Sequence, residues 1–335
     1  MRGHILIVDP ARVDILYNPI KDGLLDRGHR VTRHLSVDEF LSDSASRADA
    51  DVLFGLGVRI DRELMASMPR LRAVMSPVTG TDGIDERGAS ELRVLVGNGQ
   101  VPENTESMAE ATVMLMLAAI YDLHGSEEVL RQNRGHPPQV AARMIKGKIV
   151  GLIGFGQIAR AVAHRLEGWG VRIQICTPRV RSPLPPAAER VELDELLSKS
   201  DIVSVLCPLT EETRGMLSAP RLALLKPGAI FVNTARGGIV DEAALASLVR
   251  SGRIRNVAID VFETEPPLRD NPLRQLDPSQ AILTPHMVGH TVESIEALPP
   301  AAIESVERVL NAEPPLYVRN PEIVPQWKRR WAGSS

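Results

Sequence analysis

Four polar residues stand at or just beyond the ends of apolar runs in the second half of the sequence: Arg236, Asp260, Glu265 and His286. A histidine with a carboxylate partner and an arginine suits reduction of a carbonyl group. The imidazole gives a proton to the carbonyl oxygen, and the guanidinium offsets the negative charge that develops there. The carboxylate fixes the tautomer of the ring. His290 lies close enough to His286 to compete for the role, and spacing alone leaves both open. His4, His29, His34, His124, His136 and His164 have no comparable context.

Such residues need a scaffold that brings their loops together. The run Ile149 to Ile153 reads as a short strand and stops at Gly154-Phe155-Gly156-Gln157-Ile158-Ala159, where a helical pattern of Ile158, Val162, Leu166 and Trp169 takes over. Strand, glycine turn and helix are the context in which this spacing binds a dinucleotide. Gly154 permits the turn, Gly156 lets the backbone approach a pyrophosphate, and Ala159 lets helix and strand pack closely. The first N–H groups of the helix would hold the phosphates. Loops after residues 153, 206, 232 and 283 then share one carboxyl edge of a parallel sheet, where ligands bind.

The strand Val171–Cys176 ends at Thr177-Pro178-Arg179. NAD-specific folds place an acid about here, on the ribose hydroxyls. This chain has no acid until Glu189, and Arg179 and Arg181 instead supply guanidinium groups suited to a 2′-phosphate. The expected cofactor is therefore NADP, with NAD as the alternative.

The remaining sequence gives α/β alternation from the start. Strands are expected at His4–Val8, Val31–Leu35, Val52–Gly55, Arg72–Met75 and Val94–Val96, before the glycine motif appears. Ile15, Leu24 and Leu25 mark a helix, Ser36 caps a short one, and Leu64, Met65, Met68 and Leu71 mark another. A long helix capped by Asn104 or Thr105 runs to Ile120. Further helices are expected at Glu189–Leu197 and Asp241–Val249. From Thr291 one of about twenty residues, kinked near Pro299-Pro300, leads to a basic, proline-rich tail. Strands are also expected at Ile202–Leu206, Ala229–Val232, Val257–Val261 and Ile282–Leu283.

The 335 residues, 44% hydrophobic and 24% charged, suit two globular domains. A net charge of −3 gives no global basic field for nucleic acid or anionic membrane. The most apolar stretch, Ala111 to Tyr121, is too short to span a bilayer. Cys176 and Cys207 have neither zinc nor disulfide spacing, so no metal is expected and reduced thiols point to the cytoplasm. Met1 to His4 runs directly into a strand, with no secretory pattern.

Gly151 to Arg160, Asp201 to Gly215, Leu225 to Leu245, Asp260 to Pro266 and Thr284 to Thr291 together resemble the D-isomer-specific 2-hydroxyacid dehydrogenase family. The motifs occur in that family's order across nearly the whole chain. The resemblance implies His286 as acid/base, Glu265 as its partner and Arg236 as the group that binds and polarises a 2-oxo acid. It implies that Val78, Thr79 and Gly80 hold the substrate carboxylate through backbone N–H groups. Cofactor contacts would come from Gly154, Phe155, Gly156, Gln157 and Ile158. Others would come from Thr177, Pro178, Arg179, Cys207, Pro208 and Thr213, and near the nicotinamide from Thr234, Ala235, Asp260 and Gly289.

The implied fold is α/β with two doubly wound parallel-sheet domains, a Rossmann cofactor domain inserted into a flavodoxin-like substrate domain. Residues 1–98 and 291–335 would form the substrate domain, and 99–290 the dinucleotide-binding domain. A dimerisation arm around Asn98 to Arg143 implies a homodimer. The implied activity is reduction of a small 2-oxo acid such as glyoxylate or hydroxypyruvate to the D-2-hydroxy acid. A dinucleotide-sensing, corepressor-like binding protein and a formate- or phosphite-type dehydrogenase are the alternatives. Thr79 stands where many members carry Ala or Val, Leu206 where many carry His, and Pro77 has no N–H to offer the carboxylate.

Overall fold

The computed structural model describes residues 2–136, 140–178 and 183–331. The chain divides into two compact units: residues up to Asn104 together with those from Thr291 onward, and Thr105–His290.

The first unit is built on five strands: β1 (His4–Val8), β2 (Arg30–His34), β3 (Val52–Gly55), β4 (Ala73–Met75) and β5 (Leu95–Gly97). All pair in parallel in the order β2-β1-β3-β4-β5. Continuous apolar runs such as HILIV form these strands because both faces are covered. One face carries Tyr17, Ile20, Leu24, Val306 and Trp327, the other Phe40, Met65, Met68 and Leu71.

The second unit has seven parallel strands: β6 (Ile149–Ile153), β7 (Arg172–Cys176), β8 (Ala188–Arg190), β9 (Ile202–Val205), β10 (Ile230–Asn233), β11 (Asn256–Ile259) and β12 (Ala281–Leu283). Their order is β12-β11-β10-β9-β6-β7-β8. Two doubly wound parallel sheets are thus present. The carboxyl ends of β6, β9, β10, β11 and β12 form one edge, from which the predicted site loops leave.

Several elements differ from the sequence reading. The helix Asp14–Asp26 buries Leu16, Tyr17, Ile20 and Leu24, leaving Ile15 and Leu25 exposed. The inward stripe is shifted from the one expected. The helix Arg62–Ala66 is one turn long, and Met68 and Leu71 reach the core from the segment beyond it. The long helix begins at Pro102, where a missing N–H costs nothing, so Asn104 and Thr105 lie inside it. Trp169 is outside the helix Gln157–Arg165, because Gly168 and Gly170 take left-handed φ values of +78° and +70° and end it. Glu189 belongs to edge strand β8, and the helix expected there runs Leu193–Lys199. In place of the single helix expected from Thr291 there are two, Val292–Glu296 and Leu298–Leu310. Pro299 and Pro300 fall in the first turn of the second, so the break is at Ala297.

Other elements have no counterpart in the sequence pattern, two of them in the first unit. Asp85 accepts from Gly88 N–H at 2.8 Å and caps a helix at Glu86–Leu92. The tail closes the free edge of the first sheet: Val318 bridges Gly97, and Arg319 N–H donates to Val96 at 2.8 Å. Asn320 accepts from Val96 N–H at 2.9 Å and donates to Val94 at 3.0 Å. The helix Val324–Trp331 then buries Trp327, whose Nε1 donates to the Arg72 carbonyl at 2.8 Å.

Asn320→Ala leaves a buried N–H and a buried carbonyl of the edge strand without partners. The expected loss is about 2–3 kcal/mol. For a unit of this size that lowers the thermal midpoint by roughly 5–10 °C. Calorimetry on the intact chain checks this, and an unchanged midpoint would show that the tail does not secure the edge.

Candidate active site

His286 lies three residues beyond β12 in a left-handed conformation, φ +56°. For a non-glycine residue this backbone persists only where the surroundings impose it. The imposing group is Asp260, one residue beyond β11 and 1% exposed. Its Oδ1 accepts from Thr284 Oγ1 at 2.7 Å, Met287 N–H at 3.0 Å and Val288 N–H at 3.1 Å. Its carbonyl accepts from His286 N–H at 2.7 Å. A buried carboxylate demands such donors, and here the donors are the loop that carries the histidine.

His286 Nδ1 lies 2.7 Å from Glu265 Oε2. Facing a carboxylate, Nδ1 carries its proton as the donor, which directs Nε2 to the open side. The other carboxylate oxygen, Oε1, accepts from Phe262 N–H at 3.0 Å. Burial raises the Glu265 pKa, but the His286 hydrogen bond, the Phe262 N–H and the charges of His286 and Arg236 outweigh it and hold it below the usual range. A depressed carboxylate pKa means that the stabilising contact is complete above the ordinary glutamate range. It is lost only as pH falls through the lowered value. The side chains of His286 and Glu265 are 43% and 37% exposed, so this pair orients the ring more than it stabilises the fold. No hydrogen bond to the His290 ring occurs among the described residues. Burial and the charge of His286 lower the His290 pKa.

Arg236 follows β10 and is partly buried. Asn233, 2% exposed, fixes its loop: Oδ1 accepts from Ala235 N–H at 3.0 Å and Nδ2 donates to the Arg236 carbonyl at 3.1 Å. Arg236 Nη1 donates to the Ala235 carbonyl at 2.6 Å. The next residue sets the distance to the Glu265 loop. A Cβ on Gly237 would lie 1.9 Å from the Phe262 carbonyl carbon, so only glycine fits. Glu242, 8% exposed, secures the same loop, accepting from Glu263 N–H at 2.7 Å and from Asn271 Nδ2 at 2.5 Å. Asn233, Gly237 and Glu242 are positioning residues that the sequence reading missed. Asn233 alone had a signal, its place at a strand end directly before the arginine loop.

The dinucleotide turn has the geometry that its residues imply. Gly154 takes φ +102°, and a Cβ there would meet the Leu206 carbonyl oxygen at 2.7 Å. A Cβ on Gly156 would meet nothing within 4 Å, which leaves room for a phosphate at the start of the nine-residue helix Gln157–Arg165. Ala159 is fully buried, and Phe155 and Ile158 pack on the core beneath. These residues fit a dinucleotide. Gln157 Oε1 accepts from Thr105 Oγ1 at 3.4 Å.

Beyond β9, Cys207 is a half-buried thiol with its pKa pushed up to about 11 by desolvation, and it forms no disulfide. Thr213 is spent on the turn, donating to the Pro208 carbonyl at 2.7 Å and accepting from Thr210 N–H at 2.7 Å. Thr234 meets Thr112 of the long helix at 3.1 Å, and the Gly289 carbonyl accepts from Ser107 Oγ at 2.7 Å. Thr177 and Pro178 follow β7. Arg179 and Arg181 lie outside the described residues.

In the first unit the loop after β4 carries Val78, Thr79 and Gly80. Asn98 Nδ2 donates to the Thr79 carbonyl at 2.8 Å, and Gly99 N–H donates to the Val78 carbonyl at 2.9 Å. The Thr79 hydroxyl accepts from Asn104 Nδ2 at 2.8 Å. Thr79, the departure noted in the sequence, therefore adds a brace to its loop. No cluster of three or more metal-ligating side chains occurs among the described residues.

The sequence model of the D-isomer specific 2-hydroxyacid dehydrogenase NAD binding domain matches residues 113–288, more than half of the chain. The chain belongs to the D-isomer-specific 2-hydroxyacid dehydrogenase family. It is 37% identical over 269 residues to a D-3-phosphoglycerate dehydrogenase of Mycobacterium tuberculosis, covering 79% of this chain and 50% of that protein. It thus spans about half the length of that relative. It is 34% identical over 307 residues to a glyoxylate reductase of Thermococcus onnurineus, covering 88% of each. Among solved structures, an NADPH-dependent glyoxylate/hydroxypyruvate reductase of Sinorhizobium meliloti superposes with a TM-score of 0.78 at 27% identity, over 95% of this chain and 97% of that one. The His286–Glu265 pair lies within the region matched by the family model.

Gly237→Ala forces the loop 262–265, and Glu265 with it, away from Arg236 without changing any reactive side chain. Turnover should fall roughly 10²-fold, the cost of about 1 Å of misplacement at a reacting centre. Steady-state kinetics beside circular dichroism tests this. A folded variant with wild-type turnover would mean that the close approach is not needed.

Proposed function

We propose that this dehydrogenase reduces a small 2-oxo acid of the glyoxylate or hydroxypyruvate type to the D-2-hydroxy acid, with NADPH preferred over NADH. The observation that carries the reading is the 2.7 Å contact between His286 Nδ1 and Glu265 Oε2 on the same sheet edge as the glycine turn. A bound nicotinamide supplies the hydride. His286 delivers the proton from Nε2 to the carbonyl oxygen, so the carbon gains two electrons and the oxygen ends as a hydroxyl. Glu265 keeps the ring in register and stabilises the imidazolium before transfer. Arg236 offsets the charge on the oxygen and pairs with the substrate carboxylate through its planar fork. In the first unit we assign substrate binding to the backbone N–H groups of Thr79 and Gly80, a reading that the bracing of their loop by Asn98 and Asn104 supports. Asp260 holds the His286 loop and, in this reading, also faces the nicotinamide end.

The small substrate is supported by the glyoxylate reductase that matches along most of its length. NADPH is supported by the absence of an acid at Thr177 and by the arginines that follow. We further infer a cytoplasmic homodimer. The long helix and the segments after it expose Met114, Tyr121, Leu123, Leu130, Val140 and Met144 to solvent, more apolar surface than an isolated chain would leave bare. The two free cysteines support the reducing compartment. No helix among the described residues is long and apolar enough to cross a membrane.

Light scattering on the purified chain should give twice its 36.6 kDa mass; the monomer mass would refute the dimer. In a spectrophotometric assay with glyoxylate and hydroxypyruvate, kcat/KM should be higher with NADPH than with NADH. His286→Ala should cut turnover by roughly 10²-fold or more with cofactor affinity retained. The assignment fails if His286→Ala works normally while His290→Ala is inactive.

A further inference from the structure

The carboxyl end of β7 carries a cation that the sequence did not single out. Edge strand β8 pairs with β7 in parallel, with Ile175 opposite Arg190. From there the Arg190 side chain reaches past the end of β7, where its Nε donates to the Thr177 carbonyl at 3.0 Å. Its terminal nitrogens make no hydrogen bond or ion pair with any described residue. The side chain is exposed. A guanidinium anchored by Nε on a backbone carbonyl keeps both terminal nitrogens for a ligand, in the geometry that grips phosphate.

The neighbouring acids do not cancel it. Glu189, the first acid after β7 in the sequence, is engaged by Gln174 Nε2 at 3.0 Å, within the strand pair and short of its end. Asp194 faces Arg221 at 3.6 Å. Glu192 remains, exposed at the start of the next helix, and acts with Arg190, Arg221 and Asp194 on the Cys176 thiol.

We propose that Arg190 is a specificity residue for the 2′-phosphate of NADP, an inference that rests on the cofactor preference argued above. The adenosine ribose is read at the end of the second strand of a dinucleotide fold, which here is Thr177. Arg190 is bonded to that residue's backbone, and its free fork meets a phosphate on the 2′ oxygen but has nothing to grip on a 2′ hydroxyl.

Two ligand pairs differ only by that phosphate: NADPH against NADH, and adenosine 2′,5′-bisphosphate against adenosine 5′-monophosphate. Dissociation constants are measured by nicotinamide fluorescence for the first pair and by calorimetry for the second, on wild type, Arg190→Gln and Arg190→Lys. The wild type should bind the phosphorylated member of each pair more tightly. Arg190→Gln should weaken NADPH and the bisphosphate roughly tenfold or more, with NADH and the monophosphate unchanged. Arg190→Lys keeps the charge but not the fork, so its loss should be smaller and confined to the same two ligands. Equal loss for both members of a pair would make Arg190 a brace of the turn, and no loss would leave it without a role; either overturns the inference. A wild type that binds NADH as tightly as NADPH would sink the cofactor preference itself, and this shows before any variant is compared.

Discussion

A carboxylate that cannot reach water must be satisfied by its surroundings, and the candidate site of this chain hangs on one such group. Asp260 takes three donors on a single oxygen, all from residues 284–288, while its carbonyl takes the N–H of His286. Leaving that charge without donors would cost several kcal/mol, far more than the left-handed backbone at His286. The strain at the histidine is therefore tolerated because the alternative is worse. The direction of the imidazole follows from a buried ion's demand for hydrogen bonds, before Glu265 makes any contact with the ring.

Close approach of backbone to backbone is the second requirement. Gly154 packs against the Leu206–Cys207 peptide, Gly237 against the Phe262–Glu263 peptide, and Gly289 against Met108, whose sulfur a Cβ would meet at 2.0 Å. Each of these loops leaves a different strand. Without side chains at Gly154 and Gly237, the loops after β6 and β10 settle against neighbouring backbone at distances that only glycine allows, while Gly289 makes room for the Met108 side chain. Asn233 and Glu242 then lock two of the loops through main-chain donors and acceptors.

What the sequence displayed followed the strength of the local signal. Continuous apolar runs such as HILIV and IVGLI have one stable destination, a parallel strand covered on both faces, and all strands but β8 were legible. β8 is three residues of mixed character on a sheet edge, where pairing with β7 rather than hydrophobicity makes it a strand. Helix ends were read poorly wherever they depended on conformation: left-handed glycines stopped one helix early, and prolines that resemble a kink start another. The tail was legible only as basic and proline-rich because its hydrogen bonds go to a strand more than two hundred residues away.

The site shows the same division in sharper form. Its reactive groups announce themselves by type: a histidine, a glutamate and an arginine near strand ends. The histidine and the glutamate are also its exposed members, with side chains more than a third open to solvent. The groups that aim them are buried: Asn233 at 2%, Asp260 at 1% and Glu242 at 8% exposure. A buried asparagine or glutamate looks in sequence like any other polar residue, since only the folded chain shows which main-chain groups need it. Chemistry is thus carried by residue types that a pattern can reveal. Geometry is carried by partners that become visible only when the loops meet, and the direction of the His286 ring depends on both layers.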